Sequence, residues 1–132
     1  MAICSKIVQV LLTHPNFLRL IWQIIAISAL YEALPSQPNE EPMINIIARY
    51  EDAQWIVMVF PRAKHRPECY YADNDSQRLI SPASVEMGGL IITPRKEDYE
   101  QLTPQEIINI YKEVSLSDKE TDHITERLNQ TL

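Results

Sequence analysis

One segment that is apolar on nearly every face limits what this chain can become. Between Phe17 and Leu34, the residues Phe17, Leu18, Leu20, Ile21, Trp22, Ile24, Ile25, Ile27 and Leu30 leave no wide polar stripe. A helix of that kind is stable in water only when it is covered, by the core or by another chain. Lys6, His14, Pro15, Arg19 and Gln23 interrupt the N-terminal hydrophobic region before it reaches the ~18 apolar residues of a membrane span. Ala26, Ser28 and Ala29 make only a weak leader-cleavage site behind it. The expectation is a helical arm over 1–34. Its helices cover 3–12 and 16–34, break at His14-Pro15, and use Asn16 as the second N-cap. The 132 residues suffice for one domain with one core. A domain of that size has difficulty covering such a helix alone, so a partner contribution is expected.

The connector Pro35–Pro42 separates this arm from a core over 43–116, and residues 117–132 read as a last helix. Met43–Tyr50 and Gln54–Phe60 form a predicted β-hairpin with its turn at Glu51-Asp52-Ala53. In its first strand Ile44, Ile46 and Ala48 are expected inside, with Asn45 and Arg49 outside. Residues 61–78 are polar and irregular, the signature of a long and usually functional loop. Arg78–Ile80 and Leu90–Thr93 are short candidate strands. Thr103-Pro104-Gln105-Glu106 is a capping box that opens a helix with the stripe Ile107, Ile108, Ile110, Tyr111 and Val114. Ser117 caps the final helix. The fold class is therefore α+β, an antiparallel sheet with flanking helices, preceded by the apolar arm.

The net charge of −6 argues against a general nucleic-acid binder, which needs a broad basic face. Against that acidic background, Phe60-Pro61-Arg62-Ala63-Lys64-His65-Arg66-Pro67 gathers three permanent cations and a histidine directly after a strand. Clustered like charges repel unless an anion neutralises them. Arg62 and Arg66 have the planar fork that fits phosphate, Lys64 supplies a point charge, and His65 adds a ring donor. The bland alternative is a solvated loop paired with Glu68, Asp73 or Asp75.

A second block, Ile80–Gly89, holds the only two glycines, Gly88 and Gly89, together with Ser81 and Ser84. Such a segment offers hydroxyls and backbone N–H groups to a phosphate, or simply makes a tight turn. Cys4 and Cys69 show no metal or CxxC spacing and read as free thiols in a reducing cytosol. His14, His65 and His123 are far apart, and no nucleophile elbow, P-loop or HExxH run occurs. No catalytic residue, metal or cofactor is therefore expected.

The order of these residues is familiar. A strand bearing Trp55 runs into Phe60-Pro61-Arg62, and a loop leads to Ile80-Ser81-Pro82-Ala83-Ser84-Val85-Glu86-Met87-Gly88-Gly89, then to an apolar stretch and a helix. This resembles the C-terminal half of nucleotide phosphorylases and nucleotidyltransferases of the histidine-triad superfamily, such as diadenosine tetraphosphate phosphorylase (ATP adenylyltransferase) and GDP-hexose phosphorylase. It is similar above all to a bacterial family with the runs FPRxKHRP and ISPASV[DE]MGG. The resemblance covers about residues 30–115.

The resemblance implies that Arg62, Lys64, His65 and Arg66 line a substrate side, with Ser81, Ser84, Gly88 and Gly89 shaping it. It also implies a nucleotide or sugar-nucleotide ligand. The HxHxQ motif that carries the family's covalent chemistry is not in this sequence. The reading is a cytoplasmic phosphate-ligand binding domain, without contact to nucleic acid or membrane, that forms a homodimer or docks on a catalytic partner chain. One alternative is a structural or interaction module. Another is a weak hydrolase or transferase using His65 with Ser81 or Cys69.

Overall fold

The computed structural model describes residues 8–12, 17–35, 41–52 and 54–131, with side chains placed in 25–35, 41–52 and 55–131. The elements are β1 (Val8–Leu12), α1 (Phe17–Ala33), β2 (Ile44–Glu51), β3 (Gln54–Pro61), a 3₁₀ turn (Glu68–Tyr70), α2 (Ser84–Met87), α3 (Lys96–Gln101), α4 (Pro104–Val114) and α5 (Asp118–Thr131). The strands form one antiparallel sheet in the order β1-β3-β2, flanked by helices, so the fold is α+β as the sequence predicts.

The hairpin is the predicted one. β2 and β3 pair from Ile44↔Pro61 to Glu51↔Gln54, and Asp52 takes the positive φ of 50° that the turn demands. Aspartate is among the few non-glycine residues that tolerate that region. Ala53 and Asn16, assigned to the turn and the α1 cap, lie outside the described residues.

The expected helix over 3–12 is corrected at 8–12. Val8–Leu12 is a strand paired with β3 from Val8↔Val59 to Leu12↔Trp55. Val8, Val10 and Leu12 fit a pleated surface, and the pairing gives β3 a second neighbour instead of an open edge. Helix propensity is a weak prior against a free sheet edge nearby.

The covered side of α1 presents Ala26, Ala29, Leu30, Ala33 and Leu34. Four of these join Val59, Leu116, Ile124 and Leu128 in one core cluster, so α1 and α5 close over one face of the sheet. Ile25, Ile27 and Tyr31 remain exposed on the same helix.

Both later caps form as read. The Thr103 side chain accepts from the Glu106 N–H, and the Glu106 carboxylate accepts from the Thr103 N–H at 2.8 Å. Ser117 and Glu120 repeat the arrangement at the start of α5. Ile110, Tyr111 and Val114 are buried, and the Tyr111 hydroxyl donates to the Glu86 carbonyl at 2.7 Å, tying α4 to α2.

Three further expectations are corrected. Asn45 is buried, while Ile46 and Ala48 are exposed, because α2 lies against β2 on the Asn45–Ile47 face, with Gly88 beside the Ile47 side chain. Arg78–Ile80 is not a strand. Its backbone is held by other groups: the Arg78 N–H donates to the Cys69 carbonyl and the Leu79 N–H to the Asp98 carboxylate. Leu90–Thr93 is also not a strand, since Gly89 turns the chain at φ 99° and no described strand lies alongside.

Asp98 lies in the first turn of α3. It is 1% exposed and takes two hydrogen bonds from Arg95, at 2.8 and 3.0 Å. The Arg95 bond, with the Leu79 N–H, holds the Asp98 carboxyl below its ordinary pKa.

Two outcomes follow from this packing. Val114 is completely buried, so Val114→Ala should lower unfolding stability by about 2 kcal/mol, measured by urea denaturation. Asp98, Glu106 and Glu120 all have depressed pKa values in the folded state. Their stabilisation is therefore complete above the unfolded-state carboxylate pKa and is lost as pH falls through the folded values. The urea midpoint should be flat near neutrality and fall below about pH 4. Asp98→Asn should cost about 1–3 kcal/mol at pH 7, because the amide has one acceptor oxygen where the carboxylate offered Arg95 two and turns its NH₂ toward the guanidinium, and should flatten the acid limb.

Candidate functional site

The loop after β3 is shaped mostly by its own main chain. The Arg62 N–H donates to the Met43 carbonyl at 2.9 Å, continuing the hairpin one residue further, and Arg62 also bridges to Ser115. The Ala63 N–H donates to the Val114 carbonyl at 2.9 Å, which fastens the loop to the last turn of α4. Pro67 and Pro82, one in each sequence block, are fully buried. The two blocks meet at Ser81, whose hydroxyl donates to the His65 carbonyl at 3.4 Å.

The four candidate cations separate into distinct roles. Arg62 is 7% exposed, and its guanidinium donates to the carbonyls of Lys64 (3.1 Å) and His65 (2.7 Å). It clamps the loop from within. Burial lowers its pKa, and the Glu86 carboxylate opposes that shift. Lys64 lies within 2.8 Å of Glu113 and 3.1 Å of Glu68. Its hydrogen bonds to Glu113 and then to Glu68 raise its pKa. Arg66 is exposed and sits over the Tyr70 ring, 4.2 Å from its centroid, in cation–π geometry. His65 is exposed.

Lys64, His65 and Arg66 line one open recess of about 790 Å³, whose other walls are Glu41, Pro42, Met43, Ile44 and Tyr71. Arg62 is not among its lining residues, and neither are Ser81, Ser84, Gly88 or Gly89. Gly88 and Gly89 end α2: the Gly89 N–H donates to the Glu86 carbonyl, and a Cβ on Gly88 would lie 3.1 Å from the Val85 carbonyl. Ser84 is the first residue of α2. The glycine block thus closes α2 against β2.

Among the described residues, neither Ser81 nor Cys69 is placed as an activated nucleophile. Ser81 meets the His65 main chain, and burial pushes the Cys69 thiol above its ordinary pKa, which disfavours the thiolate. Among the described residues, no group of three or more His, Cys, Asp and Glu is placed to hold a metal ion. No described helix is long and apolar enough to cross a membrane.

The residue that the sequence did not disclose is Glu113. One carboxylate oxygen, Oε1, accepts from both Lys64 Nζ (2.8 Å) and the Glu68 N–H (2.9 Å). Burial raises the Glu113 pKa, but the Lys64 and Glu68 donors outweigh it and the net shift is downward. Tyr70 and Tyr71, read only as loop residues, supply the aromatic surface beside the cations.

Residues 37–132 match the family model described as GDPGP1-like, C-terminal domain. No curated protein and no solved structure matches the chain. The matched segment contains the hairpin, the cationic loop, the glycine block and helices α2 to α5, and leaves β1 and α1 outside. Spanning well over half of the sequence, it places the chain in the GDP-hexose phosphorylase family, as a C-terminal domain of the GDPGP1-like type.

Proposed function

We propose that this domain holds the phosphate groups of a nucleotide or sugar nucleotide and contributes no catalytic group of its own. The observation that carries the reading is the convergence of Lys64, His65 and Arg66 on one open recess in a protein of net charge −6. Two cations and a ring donor on a loop clamped by Arg62 suit a polyanion, because the loop's shape is fixed before binding and less ordering entropy is lost. Tyr71, 68% exposed at the rim, offers an aromatic face to a base or sugar. Arg62 acts indirectly, as the clamp that aims the loop. Catalysis then belongs to a partner segment or chain carrying the histidine motif that the family resemblance implies.

A second reading is that the domain is chiefly an interaction module. The exposed Ile25, Ile27 and Tyr31 of α1 favour it, since large apolar side chains on one helix are less favourable in water than against a partner.

Calorimetric titration of pyrophosphate, nucleoside diphosphates and sugar nucleotides tests the first reading. Binding should weaken about tenfold or more in Arg66→Ala, the worth of one charge-assisted phosphate contact, and should weaken further as salt is raised. Absence of heat with every phosphate ligand, or binding indifferent to Arg66→Ala, rejects it. For the second reading, sedimentation velocity should show an assembly that Ile27→Lys dissociates; a monomer at all concentrations rejects a self-assembling module.

A further inference from the structure

We propose that Glu113 is a latch on the recess: it holds Lys64 in an ion pair within the chain, which a polyanionic ligand must displace before Lys64 can meet it. The inference rests on the phosphate reading of the same site.

The geometry sets Glu113 apart from an ordinary surface partner. Glu68 pairs with Lys64 as an i,i+4 neighbour and is 87% exposed, the kind of contact that solvent screens heavily. Glu113 is only 30% exposed and sits on α4, one residue before Val114. The Val114 carbonyl accepts from the Ala63 N–H, so backbone hydrogen bonding holds the latch in register with the loop. Its Oε1 also accepts the Glu68 N–H, which fixes the carboxylate's position whether or not Lys64 is bound. Lys64, by contrast, is 44% exposed on a flexible four-carbon stem and can swing away.

Glu68 and Glu113, both outside the lining, set two carboxylates against the Lys64 ammonium and leave it with no net positive charge to offer, and Glu41 is the one carboxylate of the lining itself. A singly charged anion gains too little from Lys64 to separate it from Glu113. A diphosphate presents several charged oxygens at once, is anchored by Arg66 and His65, and can compete for the ammonium. The latch therefore makes the site selective for polyanions.

The test titrates pyrophosphate against the wild-type chain, Glu113→Gln, Lys64→Ala, Arg66→Ala and the Glu113→Gln/Lys64→Ala double variant. Glutamine keeps an oxygen for the Glu68 N–H and removes the charge that holds Lys64. Glu113→Gln should bind roughly threefold to fivefold tighter, the equivalent of one weak ion pair released. Lys64→Ala alone should weaken binding less than about twofold, because its ammonium is already engaged, yet should abolish the gain in the double variant.

If wild type binds through Arg66 but Glu113→Gln binds equally or more weakly, the site stands and the latch is rejected. A loss in Lys64→Ala as large as that in Arg66→Ala rejects the latch even if Glu113→Gln does not fold. If neither wild type nor Glu113→Gln binds pyrophosphate, the phosphate reading and the latch fall together.

Discussion

The structure depends on the junction between the end of β3 and the last turn of α4. The backbone of Arg62 continues the hairpin to Met43, and the next residue turns onto α4 through the Val114 carbonyl. Val114 itself is wholly buried. One helical turn therefore does two jobs: its apolar residue packs in the interior, and its carbonyl ends the strand and begins the loop. A loop that leaves a sheet edge without such a partner would carry unsatisfied N–H groups into a partly buried place. Here those groups are met within two residues of the strand's end.

From this junction the cationic loop takes its form. Arg62 reaches to the carbonyls of Lys64 and His65, which curls the chain and leaves the side chains of Lys64, His65 and Arg66 exposed. The loop is then fastened from the far side by Glu113 and by Ser81. The apparent charge cluster is thus a division of labour. One cation organises the main chain, one is ion-paired, and Arg66 rests on an aromatic ring. Such an arrangement relieves the repulsion expected of four neighbouring protonatable groups without requiring that all of them meet a ligand.

The second long loop, around residues 71–80, is organised by a comparable device with opposite polarity. Buried Asp98 gathers Arg95 and the Leu79 N–H, while Arg78 donates to the carbonyls of Asp75 and Gln77 and pairs with Glu106 at 3.3 Å. Charged side chains replace the ladder hydrogen bonds that a strand would have supplied. That is why Arg78–Ile80 is ordered in its contacts yet not a strand, and why the capping residue Glu106 also serves a tertiary contact.

What could be read from the sequence was local. The hairpin's turn, the Thr103 capping box, the Ser117 cap and the glycine turn depend on contacts between residues a few positions apart, where residue type and spacing carry the information. The family resemblance was legible for the same reason, as two short runs, Phe60–Pro67 and Ile80–Gly89. The strand Val8–Leu12 was not, because its conformation is set by an edge of β3 more than forty positions away. Neither was the burial of Asn45 in place of Ile46, which follows from where α2 comes to rest. The sequence determined that a group of cations stands after a strand. The tertiary structure decided how each of them is paired, bringing Glu113 to Lys64 across 49 positions. Charge can be counted along a chain, but the partners that neutralise it are chosen in space.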